Sequence, residues 1–259
     1  MLRRIYMRIA YDGTEFHGWQ RQAGVRTVQE VLETTLERVL RHPVKLVGSG
    51  RTDAGVHAAG HVEGFATDHE MPAEKLWHAI GSRLPYDLSV VDVRDVNPAF
   101  HATKSAISKL YRYRIHNRRN RPVERFTQRY AYHCWHDLDT DRMRAAAQHF
   151  LGTIDFTAMT PTGTVRETMV RTVFVCHVER YLDEVRIDVE GDGFLYNQVR
   201  NMVGTLIEVG RGRWSPDHVV DILKGRDRTQ AGPTAPAHGL CLRWVRYPPH
   251  LLRPEPVET

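Results

Sequence analysis

The sequence predicts an α+β fold in which mostly antiparallel sheets are flanked by helices. Two apolar stripes at helical spacing, one at 28–40 and one at 195–207, indicate amphipathic helices. A short acidic turn at 182–184 joins two alternating segments, which is typical of a β-hairpin. Helices and hairpins interleave without the regular strand–helix alternation of a parallel sheet, so a doubly wound fold is disfavoured.

The first hundred residues contain the clearest helix. Thr27 and Glu30 match a capping box ahead of the first apolar stripe, and Pro43 terminates it. A second helix is expected at 72–83. Alternation and short apolar runs predict strands at 7–11, 44–49, 61–66 and 89–96.

The remaining residues repeat this mixture. A helix at 142–151 is expected to begin after Asp139 or Thr140 and to stop at Gly152. Ser215 and Pro216 open a short last helix. Strands are predicted at 105–116, 169–181, 185–190 and 240–245, and a polar tail at 249–259.

Length and composition are typical of a globular protein rather than of a membrane-spanning or secreted one. The 259 residues suffice for a substantial core, and 41% of them are hydrophobic. No apolar run approaches the roughly 20 residues of a membrane span, and the N-terminus lacks the apolar centre of a signal peptide. We therefore expect a cytoplasmic protein with no membrane partner.

Cysteine and histidine usage predicts neither disulfides nor a metal. The three cysteines are widely spaced and odd in number. His57 and His61 have ligand-like spacing, but no third ligand stands nearby and the surrounding glycines disfavour a helix. No metal and no cofactor are therefore expected.

The net charge of +5 matters less than its distribution. Guanidinium groups interleaved with aromatic rings suit RNA, because they pair with phosphates and stack on bases. For Arg112 and Arg114 the alternative is a strand with outward, solvated arginines. The basic segment, residues 111–132, contains Arg112, Arg114, Arg118, Arg119, Arg121, Arg125 and Arg129 among Tyr111, Tyr113, Phe126 and Tyr130.

The glycine-rich stretch 48–60 follows a predicted strand and carries Asp53 and Arg51. Glycines allow tight turns and close approach of a ligand, so Asp53 is predicted to project its carboxylate into a cleft as a catalytic acid. The alternative is a polar turn in which Asp53 caps a backbone amide and Arg51 is solvated.

Four ordered motifs and a weaker fifth resemble the bacterial tRNA pseudouridine synthase A family, and the resemblance covers nearly the whole chain. The sequence departs from the family pattern at 196–198 and at Cys241, neither of which carries the proposed chemistry. The motifs are Tyr11-Asp12-Gly13-Thr14 with 16–20, Gly50-Arg51-Thr52-Asp53-Ala54-Gly55-Val56-His57, Tyr111-Arg112-Tyr113, 193–204 and, more weakly, 235–240.

The resemblance implies a pseudouridine synthase fold with two similar halves flanking a central RNA-binding cleft. Residues 1–100 would carry the Asp53 loop, and 101–248 the Tyr111 and Arg200 motifs. The ring-rich loop at 16–20 is expected to help grip RNA.

The resemblance also assigns roles, with Asp53 as the essential acid. Arg200 would keep its carboxylate ionised, and Tyr111 would stack on the target uracil. For Arg200 the alternative is an ordinary exposed arginine on a helix. For Tyr111 the alternative is a core tyrosine, a description that fits Tyr113 better. Asp53 could attack C1′, add to C6 or take the 2′ proton, and the sequence does not choose among these.

The implied substrate is the anticodon arm of tRNA at U38, U39 and U40, bound by a homodimer. A paired uridine must be extruded from the stack. By the resemblance, Arg51 matches the residue that fills the space left by the extruded base or holds the flipped nucleotide. The alternative is that Arg51 forms a structural salt bridge. We expect Arg118, Arg119 and Arg121 to contact mainly phosphates.

Two other classes of function remain as alternatives. The first is an RNA-binding module without chemistry, although Asp53, Tyr111 and Arg200 are all present. The second is a zinc nucleobase deaminase, because His61-Val62-Glu63 matches the first half of that motif. The Pro-Cys-x-x-Cys half of the motif is missing from the sequence.

Overall fold

A computed structural model describes residues 2–254 and confirms the α+β fold with mostly antiparallel sheets. The helices are α1 (Val28–Leu40), α2 (Ala73–Gly81), α3 (Arg125–Tyr130), α4 (Thr140–Gln148), α5 (Gln198–Gly210) and α6 (His218–Gly225). The strands are β1 (Arg3–Tyr11), β2 (Val47–Gly48), β3 (His57–Thr67), β4 (Leu88–Val96), β5 (Ser108–His116), β6 (Tyr132–His133), β7 (Gly152–Asp155), β8 (Val170–Tyr181), β9 (Glu184–Gly191) and β10 (Leu240–Arg246).

The chain forms two compact units. The first contains the described residues up to Ser108 and those from Leu242 onward, and the second contains Lys109–Cys241. This division differs from the expected boundaries of 1–100 and 101–248, because most of the last strand returns to the first unit. No periodicity in the sequence reveals such a return.

Each unit has its own strand order. In the first, the order is β4-β1-β3-β10, and β2 also pairs with β3. In the second, the order is β5-β9-β8-β7. The ladders β1–β3, β1–β4, β5–β9 and β8–β9 are antiparallel, while the short β6 runs parallel to β5.

Helix α1 begins where the sequence predicts, but the predicted capping box does not form. Thr27 makes no side-chain capping bond, and its buried hydroxyl has no hydrogen-bond partner within residues 2–254. Instead the main-chain N–H groups of Val28 and Gln29 donate to the carbonyls of Gly18 and Trp19, at 3.2 and 2.9 Å. Tertiary contacts therefore satisfy amides that a helix start otherwise leaves unpaired.

The predicted polar tail at 249–259 is described only to residue 254, and 255–259 lie outside the described residues. Pro249–Leu252 forms a 3₁₀ turn. Leu251 and Leu252 pack against a buried cluster that includes Tyr6, Phe100 and Tyr247. This part of the predicted tail therefore belongs to the core of the first unit.

The second unit is organised around α5, whose residues are almost all buried. Helix α4 contacts both α5 and β8. It is capped by the side chain of Asp139, which accepts from the main-chain N–H groups of Asp141 and Arg142 at 2.9 and 3.0 Å. Of the two predicted caps, Asp139 is therefore the correct one. The short elements α3 and β7 were not predicted.

Helix α5 lies so close to the segment after α6 that one of its residues must be glycine. A Cβ atom on Gly204 would stand 1.7 Å from the carbonyl oxygen of Pro233. No movement of a flexible side chain relieves such a contact, because the Cβ is fixed to the helix backbone and the atom it meets is a main-chain oxygen.

We therefore expect Gly204→Ala to lower the midpoint of urea unfolding, with an overpacking cost of about 1–3 kcal/mol or more. Gly225→Ala is the control, since a Cβ at Gly225 meets nothing within 4 Å. The control should leave the midpoint unchanged or raise it slightly. Equal midpoints for the two variants would contradict this account of the close approach.

Candidate active-site residues

Asp53 lies in the loop between β2 and β3, and it is half-buried. Its main-chain carbonyl accepts from the N–H of Val56 at 3.1 Å, which closes a turn. Asp53 thus lies in a turn closed by its main chain, and this hydrogen bond does not involve its carboxylate. The turn is compatible with a chemical role, because the half-buried residue is still partly accessible to solvent.

The backbone beside Asp53 is held on both sides. The carbonyl of Thr52 accepts from the main-chain N–H of Trp19 at 3.0 Å, and the buried Thr52 hydroxyl lies 2.8 Å from the hydroxyl of Tyr11. On the other side, the N–H of Gly55 donates to the carbonyl of Phe16 at 3.3 Å. The loop at 16–20 therefore fixes the loop that carries Asp53.

Gly18 makes this close approach possible. Its φ is +89°, and a Cβ atom there would lie 2.8 Å from the carbonyl oxygen of Thr52. The side chains of Phe16 and Trp19 in the same loop are buried, at 2% and 6% exposure. The expectation that these rings grip RNA is wrong, because both are packed into the first unit.

Arg51 is exposed, two residues before Asp53. Within the described part of the chain it makes no ion pair, so the alternative of a structural salt bridge is not found. The guanidinium is therefore accessible from solvent on the first unit.

Tyr111 lies on β5 of the second unit, opposite Val189 of β9. Its side chain is largely buried, and its ring meets that of Phe194 edge-on at 5.4 Å and 84°. Tyr113, by contrast, is fully buried, and its hydroxyl donates to the carbonyl of Pro236 at 2.8 Å. Burial raises the pKa of Tyr113 well above its ordinary value. Both rings are therefore buried, and the fully buried Tyr113 fits the description of a core tyrosine better than Tyr111 does, as the sequence indicates.

Arg200 lies in the first turn of α5 and is half-buried. Its Nε donates to the carbonyl of Ala235 at 2.7 Å, and its Nη1 donates to Oδ1 of Asn197 at 3.0 Å. The alternative of an ordinary exposed helical arginine is wrong, because two hydrogen bonds fix the direction of this guanidinium.

The sequence did not single out Asn201, which supports the same region. Its side-chain nitrogen donates to the carbonyl of Met159 at 2.8 Å. Its side-chain oxygen accepts from Arg228 at 3.0 Å and from Thr234 at 2.7 Å. The sequence did contain a signal for this role, because Asn201 is a polar residue among the apolar positions of α5. A buried polar side chain is usually hydrogen-bonded, so such a residue is expected to hold neighbouring segments.

The basic segment divides into paired and exposed arginines. Arg112 makes two hydrogen bonds of 2.7 Å to Asp188. This bonding raises the pKa of Arg112. Arg114 similarly pairs with Glu184 at 2.5 Å. The alternative is therefore correct in that Arg112 and Arg114 alternate outward on β5, but both pair with acids of β9 and are not freely solvated.

The three arginines predicted to contact phosphates are more accessible. Arg118 and Arg119 have side chains 62% and 83% exposed, and they lie 2.6 and 3.5 Å from Asp183 and Asp137. Arg121 is exposed and makes no ion pair among residues 2–254. Exposed ion pairs contribute little, so a phosphate can compete for these side chains.

His61, which the deaminase alternative requires as a metal ligand, is fully buried in β3. Across residues 2–254, no three or more His, Cys, Asp or Glu side chains are grouped so as to hold a metal ion.

In the same part of the chain, no helix combines the length and apolarity needed to cross a membrane.

The candidate residues are distributed over both units. Arg51 and Asp53 belong to the first, whereas Tyr111 and Arg200 belong to the second. The exposed arginines at 118, 119 and 121 also belong to the second unit.

Comparison with known proteins agrees with the ordered motifs. The sequence profile of the tRNA pseudouridine synthase family matches residues 7–103 and 146–248. The chain is 44% identical over 247 residues to tRNA pseudouridine synthase A of Thermoanaerobacter sp. (strain X514), covering 95% of this chain and all of the relative. It is 42% identical to the protein of that name from Bacillus pumilus (strain SAFR-032), covering 94% of this chain and 99% of the relative. Because profile and relatives span nearly the whole sequence, the chain belongs to the tRNA pseudouridine synthase family.

Proposed function

We propose that this protein converts uridine to pseudouridine in the anticodon arm of tRNA, at U38, U39 and U40, with Asp53 as the essential acid. One observation carries the proposal. The half-buried Asp53 sits in the Gly-Arg-Thr-Asp motif of a chain of this family, on a loop whose backbone is fixed through Thr52 and Gly55. Fixed backbone on both sides favours a preorganised reacting group.

The reaction breaks the bond from N1 to C1′, turns the uracil while it stays bound, and joins C5 to C1′. The proton lost from C5 is balanced by one gained at N1, so substrate and product are isomers. No net oxidation or reduction occurs, and no external electron carrier is required. The Asp53 carboxylate attacks C1′, adds to C6 or takes the 2′ proton, and all three routes need it ionised.

Arg200 and Tyr111 have separate roles in this proposal. The guanidinium of Arg200 favours the ionised form of the acid, and its bonds to Ala235 and Asn197 keep it oriented. The ring of Tyr111 stacks on the target uracil and is itself braced edge-on by Phe194. In this proposal Tyr111 also assists loss of the C5 proton.

Arg51 acts while the base is out of the helical stem. An extruded uridine leaves a gap in the stack, and closing the gap offsets part of the unstacking cost. An exposed guanidinium that makes no ion pair with the described residues 2–254 is suited to fill that gap or to hold the flipped nucleotide. The proposal further includes a homodimer acting in the cytoplasm, and sedimentation of the intact chain with tRNA tests the dimer.

Replacing Asp53 by Asn should abolish isomerisation while tRNA binding survives, because the amide keeps the size of the side chain but cannot ionise. We expect the single-turnover rate constant to fall by at least about 100-fold. Release of tritium from tRNA labelled at uridine C5 measures it. Glu70→Gln, at an exposed carboxylate of the same unit, is the control. Turnover retained at a few per cent or more would refute the role of Asp53 and favour an RNA-binding module without chemistry.

Replacing Arg200 by Lys should slow the chemical step more than it weakens binding. A lysine cannot donate to Ala235 and Asn197 in the geometry of the guanidinium, and misplacement by about 1 Å can cost roughly 100-fold in rate. Single-turnover kinetics and tRNA affinity are measured together. Arg211→Lys, just beyond the C-terminus of α5, should change neither quantity. If Arg200→Lys weakened only binding, Arg200 would belong to the phosphate contacts.

Replacing Arg118, Arg119 and Arg121 by Ala should weaken binding equally for anticodon arms of different sequence. Several neighbouring uridines can share one active site only if the protein reads backbone shape. Each lost phosphate contact should reduce the slope of log K against log salt by roughly 0.7–0.9. Arg38→Ala, at an exposed position of α1, controls for the loss of one positive charge outside the basic segment and is compared with each single replacement. A changed preference among arms at constant slope would contradict reading by shape.

A further inference from the structure

Glu63 is a fully buried carboxylate on β3. One of its oxygens accepts from Nε1 of Trp19 at 2.6 Å. The other has no hydrogen-bond partner within residues 2–254. Burying a carboxylate is costly unless it is paired, and packing alone would favour an apolar residue of similar volume. A carboxylate at this position therefore suggests a contact that an apolar side chain could not make.

His61, two residues earlier on the strand, is also fully buried. Its Nδ1 lies 2.9 Å from the Glu63 oxygen that accepts from Trp19, but this contact is not along a hydrogen-bond direction. Its ring stacks on the indole of Trp19, with centroids 5.7 Å apart and planes at 20°. The single carboxylate thus contacts both rings of a stacked pair.

Both ring residues bind the loop that carries Asp53. Nε2 of His61 lies 3.0 Å from the carbonyl oxygen of Gly50. A carbonyl only accepts, so Nε2 must carry the proton and donate it. The main-chain N–H of Trp19 donates to the carbonyl of Thr52 at 3.0 Å. These two contacts hold the backbone at two points in the three residues that precede Asp53.

We propose that Glu63 and His61 are positioning residues for Asp53, acting through the carbonyls of Gly50 and Thr52. The inference rests on the proposed role of Asp53. Glu63 fixes the Trp19 indole, on which the His61 imidazole stacks, and the two rings hold the loop in one conformation before RNA binds. Supporting contacts of this kind raise the rate by keeping the reacting group in its productive geometry.

The test compares His61→Leu with His61→Gln, and Glu63→Val with Glu63→Gln, in the full chain. Leucine removes the donor to Gly50, whereas the glutamine amide can restore it. Glu63→Gln keeps an acceptor for Trp19, which valine lacks. The readout is single-turnover tritium release with enzyme in excess, together with tRNA affinity. A loss of folded enzyme changes the amplitude, whereas a misplaced Asp53 changes the rate constant.

We expect His61→Leu and Glu63→Val to lower the rate constant by about 10- to 100-fold at unchanged tRNA affinity, and the two Gln variants to recover most of it. Asp87→Asn is the matched control, because Asp87 is a buried carboxylate of the same unit whose side chain pairs with Arg26 instead. It should lower stability without changing the rate constant.

If the Leu and Val variants behave like Asp87→Asn, or if the Gln variants recover nothing, the inference is overturned and the role of Asp53 is unaffected. Activity retained by Asp53→Asn would instead overturn the proposed function and this inference with it. A fall in rate constant with recovery by Gln supports positioning.

Discussion

Trp19 makes the contacts on which the first unit depends. Its main-chain N–H holds the carbonyl of Thr52, its carbonyl receives the N–H of Gln29 at the start of α1, and its indole donates to Glu63 on β3. One residue thus ties the Asp53 loop to a helix and to the central sheet. Without the indole, the buried carboxylate of Glu63 would lose its hydrogen bond from Trp19, at a cost of about 1–3 kcal/mol or more.

In the second unit, different residues position the candidate side chain Arg200. Arg200 is oriented by the carbonyl of Ala235, and the N–H of Ala235 donates back to the carbonyl of Arg200 at 3.2 Å. Asn201, on the next position of α5, holds Arg228 and Thr234. In both units the candidate residue is therefore positioned by main-chain contacts between distant segments, which suits a site that must be rigid before substrate arrives.

The arginines of the basic segment are not equally accessible along its length. Arg112 and Arg114 are neutralised by acids on β9, while the accessible positive charge lies further along the segment, at Arg118, Arg119 and Arg121. A phosphate competes poorly for a bidentate, half-buried arginine and readily for an exposed one. Electrostatic contact with RNA is thus expected from part of the segment.

Local pattern alone determined the existence of α1 and α5 and of the hairpin of β8 and β9, because periodicity is a property of neighbouring residues. Motif order alone pointed to the family. The tertiary structure decided that Gly18 and Trp19 rather than a capping box begin α1, that Leu251 packs on the core, and that the last strand returns to the first unit. These outcomes depend on partners that are distant in the sequence, where no period connects the residues. The hydrogen bonds that hold the Asp53 loop have the same origin.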